Sequence, residues 1–295
     1  MSRALRIQGA GFSVVALTLA AAMAVLPRPD ARVELLVVAA MIILLGVPHG
    51  ALDPVFARNV PGMQGGAQGM VRWAGFWLGY LALAAGVVLL WRLAPAVFLL
   101  GFLAISAGHF SGDPAAGAPP LARMLHGGAP IVLPTLLHAG EVGRLFTLLA
   151  GADAAALVLP ALHALAWPWL LGLALMAAWR ARTDGLAGLE LASVGMLASV
   201  APPLPAFTVF FCGMHSPRHI LRTAAYAGSS LRAVLLGCAG PMLLTALGAM
   251  AAWWWLDGVA VEARVIQLVF VGLAALTVPH MALVERVRLR GWAGG

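Results

Sequence analysis

The sequence predicts an all-α protein, a polytopic bundle of about eight to ten transmembrane helices, and two observations lead to this fold class. The first is composition: 62% of the 295 residues are hydrophobic, 10% are charged, and the mean hydropathy is +0.95. A soluble domain carries about 25% charged residues. The second is the recurrence along the chain of apolar runs of roughly 17–25 residues, the length that crosses a bilayer as a helix. We therefore expect a single integral-membrane domain spanning residues 1–295.

Charged residues and Pro/Gly-rich breaks divide the chain into ten candidate helices. They cover residues 9–26, 33–47, 73–93, 95–108, 124–140, 155–179, 186–200, 205–225, 231–256 and 265–284. The first segment follows a basic start and resembles a signal peptide, but its apolar stretch is long and further spans follow. We expect it to be retained as the first span.

The net charge of +7 comes from arginines scattered between the apolar runs, which is a pattern of membrane topology and not of nucleic-acid binding. If the N-terminus is cytoplasmic and all ten helices cross, five arginines fall outside: Arg28, Arg32, Arg92, Arg144 and Arg264. The remaining thirteen of the 18 fall inside. This bias predicts a multi-pass protein of the cell inner membrane with both termini cytoplasmic.

Five of the eight histidines lie in the second half of an even-numbered helix or at its end: His49, His109, His215, His219 and His280. Even-numbered helices all run from outside to inside, so the five imidazoles fall at a similar depth in the inner half of the membrane. Ionisable side chains at membrane depth usually mark functional sites. The pattern predicts one shared site. His126, His138 and His163 lack such a pattern, and we expect them to be structural.

Local spacing indicates a metal centre. His215 and His219 stand four residues apart on one helical face, and Asp53 and Asp113 follow His49 and His109 at the same spacing. A metal-binding imidazole usually donates its second N–H to a carboxylate or carbonyl, so we expect Asp53 to orient His49 and Asp113 to orient His109. An imidazole-rich set suits iron, copper, zinc or nickel, and ligand type does not choose among them.

Four short blocks carry a resemblance to a known family. They are PHGALD at residues 48–53, GHFSGD at 108–113, HSPRH at 215–219 and PHM at 279–281. In this order and spacing they resemble the signature blocks of the Brp/Blh family, the bacterial and archaeal membrane β-carotene dioxygenases that make retinal for rhodopsins. The resemblance runs from about Val47 to Met281. Members often carry a further histidine shortly after the first block, where this chain has Pro54 after Asp53.

The resemblance implies an all-helical membrane enzyme whose non-haem ferrous iron is held by four histidines, here His49, His109, His215 and His219. It implies cleavage of the central double bond of β-carotene, or of a related carotenoid, by dioxygen to two molecules of all-trans retinal. A retinal-using rhodopsin is the expected recipient. His280 is placed with Asp53 and Asp113 as a supporting or pocket-lining residue, and no catalytic residue beyond the ligands is expected.

A bilayer-dissolved hydrocarbon substrate needs an apolar tunnel that passes the metal, and position in that tunnel would set which double bond is attacked. Aromatic side chains are the expected lining, namely Phe110, Phe207, Phe210, Phe211 and Trp77.

Two other functions use the same residues. A metal- or proton-coupled transporter would use the histidines as its ion path, but transporters often carry internal repeats, and the sequence shows none. A membrane di-iron hydroxylase or desaturase needs several clustered histidine boxes, whereas this chain has one, His215 to His219.

Overall fold

The protein is described by a computed structural model over residues 2–58, 66–115 and 117–288, and every regular element in these ranges is helical. The α-helices are α1 (Arg3–Val25), α2 (Ala31–Met41), α3 (Asp53–Arg58), α4 (Gly66–Leu93), α5 (Pro95–Phe110), α6 (Pro120–Val132), α7 (Thr135–Ala150), α8 (Ala152–Ala181), α9 (Gly185–Val200), α10 (Pro203–Phe210), α11 (Ser216–Tyr226), α12 (Leu231–Gly237), α13 (Ala239–Trp255) and α14 (Val261–Arg288). The predicted all-α class is confirmed.

Within the described ranges, six helical segments are long and apolar enough to cross a membrane: Arg3–Val25, Ala31–Arg58, Gln68–Leu93, Ala152–Ala181, Leu231–Trp255 and Val261–Val284. Each corresponds to one of the ten predicted spans. Two more predicted spans correspond to the shorter apolar helices α5 and α9. These lengths and compositions are those of a polytopic membrane protein.

The predicted helix over residues 124–140 is wrong as a single element. The chain breaks between α6 and α7 at Leu133 and Pro134, and α7 then continues to Ala150. Proline removes a backbone donor and clashes with the preceding turn, which explains the break. The segment still runs antiparallel to α8, because Trp169 binds the carbonyl of Leu125 and the earlier His163 binds the carbonyl of the later Thr135.

Two helices near the centre of the bundle change their winding ahead of a proline. A π-helical turn (Ile42–Gly46) and a 3₁₀ turn (Val47–Leu52) join α2 to α3, and a second π-helical turn (Phe211–His215) joins α10 to α11. Pro217 has no N–H for the carbonyl of Gly213, and the side-chain amide of Gln8 donates to that carbonyl at 2.8 Å. π-Helical turns recur at functional sites, and both of these lie beside histidines.

The core is built by α1 lying along α9, by α8 between α7 and α9, and by α4 against α14. Side chains on the outside are large and apolar, including Leu78 and Leu81 on α4 and Leu243 and Leu244 on α13. Such a surface is suited to lipid and not to water.

Ion pairs at one end of the bundle involve arginines that the sequence assigns to the outer side. Arg28 binds Glu141 at 2.8 Å, and Arg144 binds Glu262 at the start of α14. Arg92 lies over the ring of Trp255 at 5.2 Å. The position of these arginines at the same end of the bundle agrees with the predicted helix directions. The side of the membrane that this end faces stays a prediction.

Candidate metal centre

Five imidazoles converge in the half of the bundle away from those ion pairs. His49 lies in the 3₁₀ turn after α2, His109 near the end of α5, His215 at the end of the second π-helical turn, His219 in α11 and His280 in α14. Their ring centroids stand 4.4 Å apart for His109 and His215, and 6.0 Å apart for His49 and His109. The structure thus brings together all five histidines that the sequence predicts to lie at a similar depth.

The inward-facing nitrogens crowd a common point. One donor atom each from His49, His109 and His280 lies within 4.8 Å of the other two. His215 Nε2 is 2.9 Å from His109 Nε2. Nε2 of His280 is buried and has no hydrogen-bond partner among the described residues. Buried polar atoms are costly without a partner, and a cation at this point would satisfy these nitrogens together.

The outward-facing nitrogens are anchored. The Nδ1–H of His49 donates to the carbonyl of Gly46 at 2.6 Å. The Nδ1 atoms of His215 and His280 each meet a buried carboxylate at 3.0 Å and 2.5 Å respectively. An imidazole that donates through Nδ1 presents Nε2 as an electron-pair donor. Three rings therefore hold the tautomer that a metal ligand needs.

Asp53 is one of the two carboxylates, and its partner differs from the predicted one. It accepts from His280 Nδ1, and its second oxygen accepts from the hydroxyl of Tyr80 at 3.0 Å. The expected contact with His49 is wrong because the backbone there is a 3₁₀ turn, in which residues three apart are aligned and residues four apart are not. His49 donates three residues back, to Gly46, for the same reason.

Asp113 is the second carboxylate, and the expected pairing with His109 is also wrong. Helix α5 ends at Phe110, so Asp113 lies in the following turn and reaches across the bundle to His215 Nδ1, at 3.0 Å and 3.1 Å from its two oxygens. His126 Nε2 approaches the same carboxylate at 3.8 Å. His126 was expected to be structural, and it adjoins the carboxylate that orients His215.

A buried charge network holds this turn in place. Arg218 is fully buried and donates to the carbonyl of Asp113 at 3.1 Å and to both carboxylate oxygens of Glu190, at 2.6 Å and 3.1 Å. Its Nε donates to Gln8 at 2.9 Å, and Arg222 donates to the carbonyl of Asp113 at 2.8 Å. Sequence reasoning did not select Gln8, Tyr80 or Glu190. A lone carboxylate inside an apolar helix was the available signal for Glu190.

Aromatic rings close the apolar side of the cluster. Phe211 stacks on His215 at 5.7 Å and meets His49 edge-on at 5.2 Å. Phe110 meets His215 edge-on at 4.9 Å, and Phe210 packs on Phe110 at 5.1 Å. These rings exclude water from the imidazoles and strengthen any electrostatic interaction there.

The remaining singled-out residues lie elsewhere. Phe207 stacks on Phe211, one helical turn from the cluster, at 5.4 Å. Trp77 packs against Tyr80 on α4 at 6.1 Å. His138 and His163 bind the carbonyls of Val200 and Thr135 at 3.0 Å and 2.9 Å, and they connect helices as structural residues do.

Comparison with known proteins agrees with the short blocks in the sequence. The sequence model of a family described as β-carotene 15,15′-dioxygenase matches residues 40–287. A β-carotene 15,15′-dioxygenase of an uncultured marine bacterium is 32% identical over 260 residues, which cover 83% of this chain and 91% of that protein. A probable β-carotene 15,15′-dioxygenase Blh of Halobacterium salinarum is 30% identical over 316 residues, which cover 87% of this chain and 84% of that protein.

No solved structure matches. The family match spans the blocks that hold the five clustered histidines and both carboxylates, and it extends over most of the bundle. The chain therefore belongs to the β-carotene 15,15′-dioxygenase family.

Proposed function

We propose that this protein cleaves the central double bond of β-carotene with dioxygen at a non-haem iron(II) centre, giving two molecules of all-trans retinal. The carbon–carbon double bond breaks, and each of its two carbons receives one oxygen atom as an aldehyde. The observation that carries the proposal is the convergence of five imidazoles from four segments of the bundle. In three of them, those of His49, His215 and His280, Nδ1 is anchored outward, so that Nε2 is left as an electron-pair donor.

The donor set fits iron. Neutral imidazoles suit first-row transition metals, and the unpartnered Nε2 of His280 would donate its electron pair to such a cation. We assign His49, His109, His215 and His219 as the ligands, and we add His280 as a fifth imidazole because one of its nitrogens lies within 4.8 Å of donor atoms of His49 and His109. A ferrous ion held by these imidazoles would supply the capacity to react with dioxygen.

The protein's own residues prepare the site. The carbonyl of Gly46 and the carboxylates of Asp113 and Asp53 fix the rings of His49, His215 and His280, so each presents one nitrogen. Phe110 and Phe211 cover the rings on the apolar side and exclude water. We assign no general acid or base to the site, because the proposed chemistry transfers oxygen atoms to carbon and needs no proton from a side chain.

The substrate reaches the site from the membrane. A carotenoid dissolves in the bilayer, and the apolar outer faces of helices such as α4 and α13 border that phase. We propose that the protein is a multi-pass protein of the cell inner membrane with both termini cytoplasmic, following the arginine distribution. A retinal-using rhodopsin in the same membrane would receive the product.

The deciding experiment expresses the protein in cells that accumulate β-carotene and resolves the extracted retinoids by chromatography. We expect loss of the orange colour and appearance of retinal. Cells with the His215→Ala variant should stay orange and form no retinal. Cells with His163→Ala, which changes a histidine outside the cluster, should lose the colour and form retinal as with the unmutated protein. Intact β-carotene with a membrane-inserted, unmutated protein would reject this substrate. Metal accumulation in those cells without carotenoid loss would favour the transporter hypothesis.

A further inference from the structure

The two carboxylates beside the histidine cluster are unequally supplied with hydrogen-bond donors. One oxygen of Asp53 accepts from Nδ1 of His280, and the other accepts from the hydroxyl of Tyr80 at 3.0 Å. Both oxygens of Asp113 share a single donor, Nδ1 of His215, at 3.0 Å and 3.1 Å. A carboxylate has several acceptor sites, and a buried charge is costly when they stay empty. Asp113 therefore lacks the second donor that Asp53 has.

His126 offers such a donor. Its Nε2 lies 3.8 Å from Oδ2 of Asp113, which is longer than a normal hydrogen bond. The same nitrogen is buried and has no hydrogen-bond partner among the described residues. A buried ring nitrogen without a partner and a carboxylate with one donor thus face each other, and a shift of less than about 1 Å joins them.

The packing of α6 against α5 brings His126 to this place. A Cβ on Gly127 would collide with backbone atoms at the end of α5 and just after it, so the two helices approach closely there. The residue before that glycine, His126, consequently reaches the turn that carries Asp113. The ring of His126 is 1% exposed and packs on the ring of Phe210, with centroids 5.7 Å apart. Tight packing leaves the imidazole little freedom to turn to another partner.

Other carboxylates near His126 already hold donors of their own. His126 borders a small cavity whose lining also includes Asp184 and Glu190. Asp184 accepts from a backbone N–H in the first turn of α9 at 3.2 Å, and both oxygens of Glu190 accept from Arg218. Among the described residues, Asp113 is the carboxylate that lies within ion-pair distance of His126. The acceptor for Nε2 is therefore Asp113.

We propose that His126 is a positioning residue of the metal centre, whose Nε2–H donates to Oδ2 of Asp113 and keeps that carboxylate turned towards His215, as the hydroxyl of Tyr80 does for Asp53. This inference rests on the metal centre of the proposed function. His126 touches neither substrate nor metal, and it acts through two other side chains. Partners beyond the ligands fix the orientation of a metal-binding imidazole, so the loss of this donor should weaken metal binding.

Two variants of His126 separate positioning from packing. His126→Phe keeps a ring against Phe210 and removes the N–H, whereas His126→Gln places an amide N–H near the position of Nε2. Iron(II) affinity is measured by dialysis against a graded chelator without oxygen, and the visible spectrum of the cobalt(II)-loaded protein reports the ligand geometry. We expect His126→Phe to lower iron(II) affinity about tenfold and to alter the cobalt(II) spectrum. His126→Gln should recover most of the affinity, whereas a purely packing role predicts the opposite order.

A double-mutant cycle tests whether His126 acts through Asp113. In the Asp113→Ala background, His126→Phe should lower iron(II) affinity no further, because the donor has no carboxylate left to hold. The matched control is His163→Phe, which changes a histidine outside the cluster and should leave the affinity unchanged in either background.

Elution as a single species shows that each variant folds. If His126→Phe does not fold, His126→Asn replaces it, because the shorter amide does not reach Oδ2 of Asp113 and should behave as the phenylalanine does. Equal affinities of the glutamine variant and its comparison variant, or additive losses with Asp113→Ala, would overturn the positioning role while carotenoid cleavage still stood. Failure of the unmutated protein to bind iron(II) and to cleave β-carotene would instead overturn the proposed function.

Discussion

Nδ1 of His280 lies 2.5 Å from Oδ1 of Asp53, although 227 residues separate them in the chain. The bond joins α14 to the start of α3, and Tyr80 of α4 donates to the other carboxylate oxygen. Asp113, in the turn after α5, likewise accepts a hydrogen bond from Nδ1 of His215. Each carboxylate therefore orients a histidine of a distant helix and not the histidine that precedes it.

Removing either carboxylate should weaken metal binding. We expect Asp53→Ala and Asp113→Ala each to lower iron affinity about 10–100-fold, because the imidazole they orient becomes free to rotate. Iron per protein, measured after dialysis against a graded chelator, reports the loss. Asp257→Ala removes a largely exposed carboxylate that pairs with Arg264, and it should retain iron fully. Unchanged iron in both buried variants would contradict the orienting role.

His280 should behave as a ligand. The sequence resemblance places it in a supporting position, whereas one of its ring nitrogens lies within 4.8 Å of donor atoms of His49 and His109. We expect His280→Ala to reduce bound iron to the same degree as His49→Ala. If His280→Ala keeps its iron but loses only turnover, the residue lines the pocket as first expected.

Replacing only one member of the buried Arg218–Glu190 pair should lower the free energy of unfolding. Arg218→Met leaves Glu190 buried without its partner, and removal of one member of a buried pair costs about 3–5 kcal/mol. The double variant Arg218→Met, Glu190→Met should recover most of that loss, because no buried charge is left unpaired. Thermal unfolding in detergent measures both. A double variant as unstable as the single one would mean that the pair's other contacts, to Gln8 and Asp113, determine the stability.

Gly127 should not tolerate a methyl group. A Cβ there would collide with the backbone of Ala107 and Ser111, where α6 crosses α5 beside His109. We expect Gly127→Ala to cost about 1–3 kcal/mol of unfolding free energy, as overpacking does. Gly101→Ala on α5 meets nothing within 4 Å and should be neutral or slightly stabilising. Equal melting temperatures for the two variants would exclude a close α5–α6 crossing.

Much of the fold could be predicted because membrane-spanning helices require long apolar runs, and the helix directions then placed five histidines at one depth. What could not be predicted were the side-chain partners. The spacing from His49 to Asp53 indicates a shared face only on a regular α-helix, and the winding changes ahead of Pro48. Likewise, nothing in the local pattern marks Glu190 as the partner of Arg218, because that contact is made between distant segments.

The distribution of the cluster along the chain sets the order in which the protein is able to mature. His49 lies in the turn after α2 and His280 in α14, so the ribosome has synthesised α1 to α13 before the last imidazole of the cluster is available. A nascent chain that ends before α14 has Asp53 without the imidazole that it binds in the folded protein. The five-imidazole cluster is therefore completed late in biogenesis, once α14 has been synthesised and has packed into the bundle.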